Sequence, residues 1–121
     1  IDAEQAQTHS YLFIASGTGI SPFHSFTQTF PQLNYKLIHG IREAHEAYER
    51  QHYDAQRYVA CTSRDAQGDF NGRVTDWLKQ NPVDPDTLCY VCGNCNMIFE
   101  VFDILEKQGI GSQKVFTEVY F

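Results

Sequence analysis

Tyr11-Leu12-Phe13-Ile14-Ala15-Ser16-Gly17-Thr18-Gly19-Ile20-Ser21-Pro22 passes from an unbroken apolar run, through a glycine-bearing turn, to a proline that opens a helical pattern. A short apolar run bounded by turn signals reads as a strand buried on both faces. Beyond it Phe23, Phe26 and Phe30 recur at helical spacing. Pro22 suits the first helical turn, where its missing N–H loses no hydrogen bond. Glycines let the backbone turn sharply and come close to a bound group, and a helix N-terminus offers N–H donors and partial positive charge to a phosphate. Strand, glycine turn and helix in this order make the opening of a nucleotide-binding α/β unit, although a lone Gly-x-Gly is equally a plain βα connection.

Further along the chain the alternation repeats. Residues 35–39 (YKLIH), 58–62 (YVACT), 88–92 (LCYVC) and 115–121 read as four further strands. Residues 42–52 read as a polar helix with Ala44, Ala47 and Tyr48 inward, and 65–72 as a polar loop. Val74, Trp77 and Leu78 mark a short helix, and Pro82 and Pro85 punctuate the turn after it. Met97, Ile98, Val101, Phe102 and Leu105 form the apolar stripe of a longer helix, which Gly109 ends. The expected fold is α/β, a doubly wound five-stranded parallel sheet with helices on both faces. In such a sheet ligands sit beyond the carboxyl ends of the central strands.

The chain has 121 residues, 42% of them hydrophobic and 14% aromatic, enough for one packed domain over residues 1–121. Its formal net charge of −6 argues against nucleic acid as a partner, since phosphate neutralisation needs clustered Lys and Arg. No apolar run approaches the ~20 residues of a membrane helix. Four cysteines without a secretory context read as reduced thiols, and a cytoplasmic location is the expectation.

The usual dinucleotide fingerprint wants glycine where Pro22 stands and an acid ~20 positions on for the ribose hydroxyl. Around that distance the chain offers only residues 36–40, with no carboxylate. A different pattern fits. GTGISPF (17–23) resembles the Gly-Thr-Gly-Ile-x-Pro-Phe turn of ferredoxin–NADP reductases and their relatives. LIHGIR (37–42), TSRD (62–65) with GRVTDWL (72–78), CGNCNM (92–97) and the terminal EVYF (118–121) resemble that family's later segments, in the same order along the whole chain. The loop at Cys95-Asn96 departs from many bacterial members, which carry proline where Cys95 stands.

The resemblance implies strand order 3-2-1-4-5 and a domain that binds NADP(H), preceded in the whole protein by an FAD-binding β-barrel. It also implies hydride transfer between NADPH and FAD, with electrons passing to or from a ferredoxin- or flavodoxin-like carrier. Gly17, Thr18, Gly19, Ile20 and Pro22 form the phosphate turn, Gly40 and Arg42 follow strand two, and Gly93, Asn94 and Met97 follow strand four. Ser63, Arg64 and Arg73 would take the 2′-phosphate. Guanidinium groups recognise that dianion by paired charge-assisted hydrogen bonds, although a single arginine is more often a solvated surface charge. Cys92 would lie near the reacting atoms, its plainer reading being a small buried hydrophobe. Met97 also reads as core packing. Glu118 would sit close by, and Tyr120 or Phe121 would cover the flavin ring, unless the pair simply packs on the sheet. An NADH-dependent cytochrome-reductase-like protein, or a dinucleotide-sensing module without chemistry, remain the alternatives.

Cys89, Cys92 and Cys95 spell C-x-x-C-x-x-C, which in isolation suggests an iron–sulfur or zinc site. Both need a fourth ligand, and Cys61 is the only other cysteine. Strands three and four stand three places apart in the implied order, roughly 14 Å, too far for a shared cluster. No metal is expected.

Overall fold

The computed structural model describes residues 8–119. Among the described residues these strands and α-helices succeed one another: β1 (Ser10–Ser16), α1 (Ser21–Thr29), β2 (Asn34–Ile41), β3 (Tyr58–Thr62), β4 (Phe70–Asn71), α2 (Val74–Gln80), β5 (Leu88–Gly93), α3 (Cys95–Lys107) and β6 (Val115–Val119). All strand pairs are parallel, in the order β4-β3-β2-β1-β5-β6. The five expected strands keep the expected order, but among the described residues the sheet has six.

The added strand corrects the reading of 65–72 as loop throughout. Phe70 pairs with Cys61 and Asn71 with Thr62, giving the sheet a short edge. Asp69 sets it up: one carboxylate oxygen accepts from the Ala60 amide at 2.8 Å, and Arg50 grips both oxygens at 2.7 and 2.8 Å. A second correction concerns 42–52. No α-helix forms there; the segment makes two single 3-10 turns, Ala44–Glu46 and Arg50–His52. Its only deep anchors are half-buried Ala47 and buried Tyr53, while Tyr48 is 71% exposed. Too little apolar surface faces the sheet to hold a continuous helix, whose stability in a protein comes mainly from such packing.

The strand side chains alternate between two core layers. Tyr11, Phe13 and Ala15 join Phe23 of α1, Leu37 and Tyr58 in one; Leu12 and Ile14 join Val74 and Leu78 of α2 and Val101 and Leu105 of α3 in the other. Phe13 stacks on Phe23 with centroids 4.6 Å apart. Each fully buried side chain of this size contributes roughly 1.5–3 kcal/mol. Asn94 caps α3 by accepting from the Met97 amide at 2.9 Å, and Gly109 closes it with φ 92°. Packed on both faces, the sheet leaves its carboxyl edge open.

Candidate functional site: the cavity at the carboxyl edge

Where β1, β2, β3 and β5 end, a cavity of about 460 Å³ opens between the glycine turn, the residues after β2 and β3, and the start of α3. Strand order reverses beside β1, and an open α/β sheet leaves a crevice at such a point. Polar and apolar groups share its wall, and Gly17, Gly19, Gly40 and Gly93 are part of it.

The glycine turn winds as one 3-10 turn, Gly17–Ile20, straight into α1. Gly19 has no room for a side chain, because a Cβ there would stand 2.7 Å from the Cys92 carbonyl oxygen and 3.1 Å from the Gly93 nitrogen. The turn therefore lies directly on the end of β5. Gly93 has φ 157°, and a Cβ there would run into Ser16 Oγ and Met97 Cε. The Asn94 amide donates to Ser16 Oγ at 3.4 Å, tying β1 to the cap of α3. Gly19 and Gly93 let the turn, the end of β5 and the cap of α3 pack closely at the rim of the cavity, a strand–turn–helix setting that suits the phosphates of a dinucleotide.

Most residues singled out from the sequence converge here. Gly17, Thr18, Gly19, Gly40, Arg42, Ser63, Arg73, Gly93, Asn94 and Met97 all line the cavity. Ile20 is buried under the turn and Pro22 begins α1, so both shape the site without facing it. Arg64 is not part of the lining; its exposed side chain lies on the loop after β3, anchored by its own amide to the Arg42 carbonyl at 2.8 Å. Arg73 is 57% exposed and stands 3.8 Å from Glu100 of α3.

Cys92 is buried in the α1-side layer, whereas Cys89 is buried in the other, so the C-x-x-C-x-x-C run does not converge on one point. Burial pushes the Cys89 and Cys61 thiols up to about 12, as expected of thiols packed in a core. Cys61 also reaches the cavity floor. Glu118 is the register partner of Cys92 across the β5–β6 pair. Tyr120 and Phe121 lie outside the described residues.

Ser16, Ile41, Glu46, Cys61 and Val74 also line the cavity, where the sequence reading does not place them, and Glu46 is the charged one among them. Glu46 lines the wall, accepts from Arg42 at 3.2 Å and from the Glu43 amide at 3.0 Å. The Arg42 hydrogen bond, helped by that of Glu43, holds its carboxyl below the usual carboxylate range against the opposing effect of partial burial. The signal for it is the i,i+4 spacing from Arg42.

Across residues 13–102 the chain matches the family model described as the oxidoreductase NAD-binding domain. The chain belongs to this family. Such NAD-binding domains form the C-terminal part of ferredoxin-reductase-like proteins, in agreement with the motifs read along the sequence. A curated relative, the probable dihydroorotate dehydrogenase B (NAD(+)) electron transfer subunit of Archaeoglobus fulgidus, is 26% identical over 99 residues. That match takes in 80% of this chain but only 41% of the relative, so this NAD-binding domain corresponds to about two-fifths of that protein.

Solved structures share the fold. The flavohemoglobin of Malassezia yamatoensis, solved with bound FAD and heme, superposes with a TM-score of 0.81 at 21% identity, over 100% of this chain and 35% of that one. A ferredoxin–NADP+ reductase mutant from Plasmodium falciparum, solved with 2′P-AMP, gives 0.64 at 21% identity, over 99% of this chain and 57% of that one. No helix among the described residues is long and apolar enough to cross a membrane.

Proposed function

We propose that this NAD-binding domain holds NADP(H) in the cavity at the carboxyl edge and presents its nicotinamide to FAD carried by a β-barrel domain of the same protein. The observation carrying this reading is the gathering of Arg42, Ser63 and Arg73 around one cavity whose other wall is the glycine turn. The turn and the amides at Gly93 and Asn94 receive the pyrophosphate. Arg73 and Ser63 take the 2′-phosphate, and Arg64 swings in from the loop edge to join them. Arg42 adds a further positive charge if it leaves Glu46.

The dinucleotide supplies the hydride chemistry, and the protein contributes orientation and exclusion of water. The backbone of Cys92 fixes the turn, and its thiol with Glu118 marks the strand ends nearest the nicotinamide. Tyr120 or Phe121 is assigned to covering the flavin. Electrons then pass to or from a ferredoxin- or flavodoxin-like carrier.

A second reading, preference for NADH, is favoured by Glu46. A carboxylate on the cavity wall accepts hydrogen bonds from ribose hydroxyls and repels a 2′-phosphate. Calorimetric titration with NADP and NAD separates the two. NADP at least about tenfold tighter, or about 1.4 kcal/mol, supports the 2′-phosphate assignment. Equal affinity, or tighter NAD, overturns it.

A further inference from the structure

Beneath the glycine turn lies a buried histidine. His39 of β2 is 2% exposed and takes the place between Leu37 and Ile41 in the alternating series that faces the α1-side layer. A neutral imidazole has one donor and one acceptor nitrogen. Nε2 stands 2.7 Å from the Gly17 carbonyl oxygen, which can only accept, so Nε2 carries the hydrogen and donates. Nδ1 is then the acceptor, and the Tyr58 hydroxyl donates to it at 2.7 Å. The Gly17 carbonyl thus selects the tautomer. In a trans peptide the C=O and the next N–H point in opposite directions. With the Gly17 oxygen drawn inward, the Thr18 N–H is turned away from the core, in a turn whose Gly17 and Thr18 line the cavity.

We propose that His39 is a positioning residue for dinucleotide binding: by holding the Gly17 carbonyl inward it keeps the Gly17–Thr18 peptide with its N–H directed out toward a ligand phosphate. The proposal rests on the dinucleotide reading of the cavity.

His39 contacts the Tyr58 hydroxyl from β3 and the Gly17 carbonyl from the turn, and feels the charges of Glu49 and Glu46 in the segment after β2. Burial lowers its pKa from the ordinary 6.5; the Gly17 hydrogen bond and the two carboxylates oppose burial without cancelling it. Near neutral pH the ring is therefore neutral. A proton on Nδ1 would meet the Tyr58 hydroxyl donor and force it to turn round. Nε2 keeps its hydrogen in either protonation state, so the hold on the Gly17 carbonyl does not depend on the charge of the ring.

The test titrates this chain with NAD and with NADP at about pH 7.5. Wild type is compared with His39→Gln, whose amide reaches the place of Nε2 and can donate to the same carbonyl, and with His39→Phe, which removes the donor. The expected results are a Gln variant within about threefold of wild type and a His39→Phe variant about tenfold weaker, the size of one hydrogen bond. A Phe variant that binds like wild type, or a Gln variant as weak as Phe, would overturn the proposal. If His39→Phe does not fold, the Gln variant decides, binding like wild type supporting the proposal and a loss of about tenfold overturning it. Should wild type bind neither dinucleotide, the cavity reading fails by itself. The Thr18 amide resonance of the ligand-free chain then judges the histidine: it should move in His39→Phe and stay near its wild-type position in His39→Gln, and an unmoved resonance in His39→Phe refutes the hold on Gly17.

Discussion

Replacing Gly19 by alanine tests whether the phosphate turn lies on the end of β5. The new methyl would stand 2.7 Å from the Cys92 carbonyl oxygen, 2.9 Å from its carbon and 3.1 Å from the Gly93 nitrogen. Ordinary contact begins at 3.4 Å, so the turn or the strand must give by about 0.7 Å, the difference between 3.4 and 2.7. Every one of these neighbours is backbone, so no flexible side chain can absorb the shift. Overpacking of this kind typically costs about 1–3 kcal/mol. For a domain of this length that corresponds to a melting-temperature loss of roughly 4–15 °C. Displacing the turn also carries the Gly17 and Thr18 amides out of line with a ligand, so dinucleotide affinity should fall about tenfold or more. Thermal denaturation followed by circular dichroism reads the first effect, and calorimetry the second. Gly17→Ala is the contrast: it meets no atom within 4 Å, so its penalty is only that of φ 55°. A Gly19→Ala domain with wild-type melting and affinity would refute the placement of the turn against β5.

Other substitutions probe the remaining wall. Arg73→Ala should weaken NADP by about tenfold while changing NAD by less than twofold, and Arg64→Ala should do the same less strongly, since its side chain starts outside the lining; equal losses for both dinucleotides in calorimetry would count against a 2′-phosphate site. Glu46→Gln removes the carboxylate that engages Arg42, so NADP affinity should rise relative to NAD by severalfold, a ratio unchanged on titration being the contrary result. The lowered pKa of His39 makes the folded state bind fewer protons than the unfolded chain between that pKa and 6.5, so its stabilising contribution is full above 6.5 and is lost as pH falls below it. Denaturant midpoints should therefore drop less steeply with acid in His39→Gln than in wild type.

Much of this architecture is legible in the sequence because apolar runs and helical stripes state burial directly. The five long strands and α3 emerge from such patterns, the strand order follows from the family resemblance, and Gly17 to Pro22 locate the cavity. The departures have a common physical cause: they depend on pairings between distant side chains. The edge strand at Phe70 exists because Asp69 meets the Ala60 amide and Arg50, nine and nineteen residues away. Residues 42–52 carry a helical pattern, but only Ala47 finds the core, and the segment is instead pinned just beyond its end by Tyr53, whose hydroxyl donates to the Ile20 carbonyl at 3.3 Å. The position of Arg64 after β3 fixes a backbone but not where a long exposed side chain points. His39 is hidden in an apolar run. Its clue is a titratable group at an inward position of an alternating strand.

Whether the carboxyl-edge cavity receives a dinucleotide is read most directly from amide chemical shifts of the nitrogen-15-labelled chain, followed through a titration with NADP. The expected outcome is saturable movement at Gly17–Gly19, Ser63, Arg73 and Gly93–Met97, with Ser10, Asn34 and Lys36 at the opposite edge unmoved. Movement confined to that opposite edge, or none at saturating NADP, would contradict it.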